Sequence, residues 1–143
     1  MALSIGILLA FIFGVMETCL AAYTYHLLSE TSREATRYAI VRGSTYTTNC
    51  SAPPNSATCV AQGGNNTGDI AQYVQSFGLD PTKMNVNSTW LNSDGTACGT
   101  TNSCKVPGNQ VEVIITYNYP LNVPFVPHAT WTMTSTSQMV ISQ

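Results

Sequence analysis

An apolar run at the N-terminal end constrains this chain more than any other feature. From Met1 to Met16 no side chain ionises, and as far as Leu28 only Glu17 and His26 interrupt a sequence dominated by Leu, Ile, Phe, Val and Ala. As an α-helix rising ~1.5 Å per residue the run reaches roughly 40 Å, enough to cross a bilayer's hydrocarbon core with some tilt. The helical pattern continues past it. Glu30, Arg33, Glu34, Arg37 and Arg42 bring in charge, while Leu27, Leu28, Thr31, Ala35, Tyr38 and Ala39 keep an apolar stripe at helical spacing. Gly43 is a stop signal, because glycine takes left-handed backbone cheaply and Arg42 before it suits the helix dipole. The expectation is one helix over 1–43, about 60 Å long, apolar in its first half and amphipathic in its second.

Two features of that helix point to association. Ala2, Gly6, Ala10, Gly14, Thr18 and Ala22 place a small residue at every fourth position. Such a ridge lets another helix's backbone approach closely where lipid supplies no hydrophobic drive; the plainer reading is a lone anchor rich in small residues. Glu17 is the costly residue, since an ionised carboxylate in hydrocarbon needs a partner or a proton, and its helical neighbours Phe13 and Ala21 offer none. A free N-terminal amine on another subunit, or Arg33 of a shifted copy, would neutralise Glu17 and set the axial register. A protonated Glu17, or one tilted towards the interface, is the alternative.

Residues 44–143 suffice for one small domain with its own core. Only 8% of the chain is charged, and three of its five basic residues lie on the helix, leaving Lys83 and Lys105. No basic patch can be built from these, which excludes nucleic acid as a partner. Cys19 lies in the apolar helix and reads as a small buried apolar residue, whereas Cys50, Cys59, Cys98 and Cys104 fall in turn-rich polar segments. Four cysteines permit three pairings; the short separations favour Cys50–Cys59 and Cys98–Cys104 as local staples, formed in an oxidising compartment. Zinc is the competing reading, but there is no C-x-x-C and the spacings do not fit. The arginines following the apolar run would place the domain in the cytoplasm by the positive-inside rule, contrary to the disulfides. A removed basic leader preceding the run reconciles the two.

Along the domain, residues 43–68 are a Ser-, Thr-, Asn-, Pro- and Gly-rich excursion. Ile70, Val74 and Phe77 after Asp69 predict a short helix ending near Phe77, before Gly78. Asp80-Pro81 marks a turn, and Met84, Val86, Ser88 and Trp90 alternate as one face of a strand. Asn92-Ser93-Asp94-Gly95 resembles the start of a calcium loop but lacks its remaining ligands, so a plain Asp-Gly turn is expected. Val111, Val113, Ile115, Tyr117 and Tyr119 form one parity of a second strand that Pro120 should stop. After an apolar connector, Trp131, Met133, Met139 and Ile141 alternate with Thr130, Thr132, Thr134 and Thr136 in a third. The last two strands should pair antiparallel and lay their apolar face on the helix. The fold class is thus α+β: a long N-terminal helix packed on a small antiparallel sheet domain, with disulfide-stapled loops.

The apolar run ending in Gly14-Val15-Met16-Glu17, the segment Ser32-Arg33-Glu34-Ala35-Thr36-Arg37-Tyr38-Ala39 closing at Arg42-Gly43, and the two C-terminal strands with their proline-rich connector together resemble a TadE-like pilin, from the tight-adherence branch of the type IV pilin superfamily. The chain departs from the wider superfamily in having Ile5 where a glutamate is usual at the fifth mature position. The resemblance implies processing by a prepilin peptidase, storage in the bacterial inner membrane, and export by pilus assembly machinery into an extracellular filament.

The reading that follows is structural: a subunit that self-assembles through its helix into a homopolymer for surface attachment, without cofactor. The alternative is a membrane-anchored minor pilin or tip adhesin that binds through the loops at Cys50–Cys59 and Cys98–Cys104, with an exposed aromatic cluster around Tyr46, Tyr73 or Trp90. Catalysis is disfavoured, because His26 sits in the apolar helix and His128 in a Pro-rich connector with no acidic residue beside it. Sequons at Asn49, Asn65 and Asn87 are possible glycosylation points, of a kind that an Asn- and Thr-rich chain also produces by chance.

Overall fold

The computed structural model describes residues 2–41, 69–98, 105–121 and 129–142. Helix α1 spans Ala2–Ile40, about 58 Å at the usual rise. The expected cap at Arg42 and Gly43 lies outside the described residues. Helix α2 spans Asp69–Gln75 and tightens at its end, where Ser76 and Phe77 donate to the Tyr73 and Val74 carbonyls; Gly78 then turns the chain at φ +86°. The Asp80 carboxylate caps a single 3-10 turn at Pro81–Lys83 by accepting from the Thr82 N–H at 3.0 Å.

Strands β1 (Met84–Leu91), β2 (Gln110–Leu121) and β3 (Ala129–Val140) form one antiparallel sheet in that order, with β2 central. The alternation expected from the sequence is present. Val86, Val111, Val113 and Ile115 are fully buried on one face, whereas Asn85, Asn87, Asn118 and the threonines of β3 look outward. That outer face carries cross-strand polar pairs, among them Thr132 to Asn118 at 2.9 Å and Gln138 to Gln110.

Pro120 does not stop β2, which pairs on through Pro120–Thr130 to Leu121–Ala129. The reason lies in the register: β1 begins at the Met84–Tyr117 pair, so beyond Tyr117 strand β2 is paired only with β3 among the described residues. A missing N–H is tolerated at such an edge position.

The inner face of the sheet packs on the second half of α1. Ala21, Leu28, Ala35 and Ala39 share one core with Ile70, Val74, Val86, Trp90, Val113, Ile115, Met133 and Ile141, so the stretches 1–43 and 44–143 contribute to the same hydrophobic centre. The contact with β3 is partly polar. Ser32 Oγ lies 2.9 Å from Ser135 Oγ, and the Thr36 hydroxyl donates to the Ser32 carbonyl at 2.8 Å and the Ser137 carbonyl at 3.4 Å. Small hydroxyl residues on both elements let the strand approach the helix while keeping these buried hydroxyls partnered. Helix α2 docks through Tyr73, which stacks on Tyr38 at 4.3 Å and meets the Phe77 ring edge-on.

Candidate functional site

The part of α1 that precedes the domain is bare. Ile5, Ile7, Leu8, Leu9, Phe11, Ile12, Phe13, Val15 and Met16 are all exposed, Phe11 at 70%. At about 100° of turn per residue these side chains cover roughly two-thirds of the helix circumference, and Gly6, Ala10 and Gly14 occupy the remaining arc. The helix is long and apolar enough to cross a membrane. A surface of this kind is stable only against lipid or against other apolar helices.

The arc of Gly6, Ala10 and Gly14 continues, further along α1, into the side covered by the domain, where Glu17, Ala21 and Leu28 follow one another. A Cβ placed on Gly6 or Gly14 would meet nothing within 4 Å, so this small-residue face is open beneath the sheet. The row does not stay on one face, because four residues overshoot one turn by about 40°. Its later members, Thr18 and Ala22, have rotated to the flank of α1, where they line a groove against β3 together with Ala21, Tyr25 and Trp131–Thr134.

Glu17 has a partner within its own chain. The Tyr119 hydroxyl donates to the Glu17 carboxylate, and the Tyr119 phenol is held above its ordinary range, first by burial, then by the charge and hydrogen bond of Glu17. Alternation along β2 puts Tyr119 on the inward parity, about a hundred residues from Glu17 in sequence. Only the packing of the end of β2 against α1 brings the two together.

These observations describe a helix whose first half is bare and whose second half is clothed by its own domain. Residues 1–37 match the family model of TadE-like protein. No curated protein and no solved structure matches the chain. The TadE-like match is confined to the helix, 37 of the 143 residues, and takes in both Glu17 and the segment from Ser32. Within this TadE-like helix Arg33 lies 3.9 Å from Glu30, both well exposed, and Arg37 pairs with Glu34 at 2.9 Å. Exposed pairs of this kind stabilise little. Arg33 stands sixteen residues, or about 24 Å, along the helix from Glu17, so the two can meet only between copies displaced by that distance.

The other positions singled out from the sequence are dispersed. Trp90 is buried with the Lys105 ammonium 5.1 Å from its ring centre, and Tyr73 is engaged in the aromatic stack, so neither belongs to an exposed aromatic cluster; Tyr46 lies outside the described residues. Among the described residues the exposed aromatics are instead Phe11, Phe13, Tyr23, Tyr25 and Trp131. Cys98 is disulfide-bonded and Cys19 is a free, exposed thiol; Cys50, Cys59 and Cys104 lie outside the described residues. Asn87 faces outward on β1, and Asn49 and Asn65 lie outside the described residues. Asp94 sits in a turn closed by Gly95 N–H to the Asn92 carbonyl, and its Oδ1 accepts from both the Thr96 N–H and hydroxyl. Those two bonds hold the Asp94 carboxyl below its ordinary range, and the equivalent bonds from Thr82, with a smaller contribution from Lys83, do the same for Asp80.

Proposed function

We propose that this chain is a structural, non-enzymatic subunit of a Tad-type pilus system, anchored in the bacterial inner membrane by α1 and then assembled through α1 into an extracellular filament used for attachment. The observation that carries the reading is the bare apolar half-helix with a TadE-like sequence, whose arc at Gly6, Ala10 and Gly14 has room for a second backbone. In the membrane that surface is covered by lipid; in the filament it is covered by copies of itself, with small residues permitting close contact. Prepilin peptidase and the assembly machinery are the partners this path requires. Glu17 contributes axial register by exchanging its intrachain tyrosine for a cationic group of a neighbour, the N-terminal amine or Arg33. On this reading the four domain cysteines pair as Cys50–Cys59 and Cys98–Cys104, the latter in keeping with the bonded state of Cys98. The outward Thr- and Asn-rich sheet face forms a coat of low charge, which limits repulsion between copies.

Cell fractionation tests this. The chain is expected in the membrane fraction and in material sheared from the cell surface. Gly14→Leu should leave the first population intact and deplete the second. Equal surface yield from the Gly14→Leu variant would refute assembly through this arc.

A further inference from the structure

The last described residues of β2 and the first of β3 sit beside α1 at a level where the helix surface is still apolar. Strand β3 runs alongside α1 in the same direction: Trp131–Thr134 line the groove with Thr18–Tyr25, Ser135 meets Ser32, and Ser137 meets Thr36. From Trp131 to Ser137 the strand covers about 20 Å, as does the helix from Ala22 to Thr36, so the two axes are nearly aligned. This end of the sheet therefore points towards the helix N-terminus. There Trp131 is 54% exposed, and exposed Leu20, Tyr23 and Tyr25 surround the helix at the same height. From Ile5 to Tyr25 the helix carries one ionisable acid, Glu17, already bonded to Tyr119 of β2. The first well-exposed charges, Glu30 and Arg33, lie further along.

Tryptophan and tyrosine at one level, with hydrocarbon-compatible surface below and charge above, are the pattern of a membrane–water boundary. We propose that the first residues of β3 and their groove with α1 form a phospholipid-binding site, with Trp131 at headgroup level and an acyl chain lying against Thr18, Ala22, Tyr25 and Met133. The groove, about 460 Å³, carries no charged side chain on its walls and adjoins the apolar part of the helix at Thr18 and Ala22. The inference rests on the membrane-anchored reading of α1. It adds that the domain base dips into the bilayer interface, so that leaving the membrane for a filament requires release of lipid from this groove as well as from the helix.

Trp90 and Trp131 are the only tryptophans, which makes the test direct. The full chain carrying Trp90→Phe is reconstituted into phosphatidylcholine vesicles whose lipids bear bromine high on the acyl chain. Trp131 emission should be blue-shifted, strongly quenched by the bromolipid and insensitive to aqueous iodide. Quenching by iodide without quenching by bromolipid overturns the proposal, and so does protection from both quenchers, which would mean that a second copy covers Trp131. A Phe11→Trp reporter in a background lacking both natural tryptophans separates the two levels of failure. If that reporter's emission is quenched by bromolipid and the emission of Trp131 is not, the anchor stands and the site falls; if neither is quenched, the anchor reading has failed. Should Trp90→Phe not fold, the same spectra follow from the wild-type chain minus the Trp131→Phe variant.

Discussion

Leu20 and Leu28 lie eight residues apart in one apolar run, yet they should behave as residues of two different proteins. Leu28 is fully buried between α1 and the sheet, and Leu20 is 53% exposed. Replacing Leu28 with Ala removes buried methyl and methylene groups and leaves a cavity that the surrounding core fills only in part, a loss of about 2–5 kcal/mol. Set against a total stability of order 5–15 kcal/mol, that is a large fraction and corresponds to a fall in Tm of roughly 6–20 °C. Leu20→Ala in the isolated subunit removes no core contact and keeps a good helix former, so its effect should stay within about 0.5 kcal/mol. The assay is denaturant unfolding in detergent micelles, followed by the fluorescence of buried Trp90. In the assembled protein the gap narrows, since Leu20 then lies in an apolar contact of its own. Equal destabilisation of the isolated subunit by the two variants would refute the placement of the domain on α1.

The Glu17–Tyr119 contact predicts non-additivity: Tyr119→Phe and Glu17→Ala combined should cost about 1 kcal/mol less than the sum of the single variants, because the contact is half-buried, and a double-mutant cycle showing no coupling contradicts it. The turn carboxylates predict acid sensitivity of known sign. With the folded values of Asp80 and Asp94 lowered, their contribution is fully present above the ordinary carboxylate range and is lost as pH falls through the lowered values; Thr82→Val and Thr96→Val should flatten the stability–pH curve there, and an unchanged curve would refute it. Ser135→Val should destabilise the subunit by about 1–3 kcal/mol, since it removes the cross-seam bond to Ser32, whose hydroxyl keeps only the Ser29 carbonyl, and crowds a close approach of β3 to α1; thermal unfolding that matches wild type would show the seam to be unimportant.

Much of the fold is legible from side-chain period alone. The spacing of Leu28, Thr31, Ala35 and Ala39 marks the buried face of α1, and the parity of Val111, Val113, Ile115 and Tyr117 marks the inner face of β2. Both are set by local geometry that the sequence repeats several times. Isolated long-range contacts leave no such trace. Ser135 and Ser137 interrupt the apolar parity of β3 and look like a weakening of the strand, until Ser32 and Thr36 are brought opposite them. Pro120 reads as a stop because the sequence does not disclose that β1 starts too late to pair there. Trp90 and Tyr73 are recognisable as large aromatics, but whether such a residue is covered depends on elements far away in sequence. The small-residue row is visible as a period of four. Its division between an open arc at Gly6, Ala10 and Gly14 and a flank at Thr18 and Ala22 follows from the 3.6-residue turn and from where the sheet ends.

Assembly through the bare half of α1 is tested most directly by electron cryo-microscopy of material sheared from cells expressing the chain. The account predicts regular filaments with α1 helices at the axis, Gly6, Ala10 and Gly14 at the closest helix–helix contacts, and the sheet domains outside. Filaments held together by the sheet domains with α1 away from the axis, or a chain found only as a dispersed membrane-bound monomer, would contradict it.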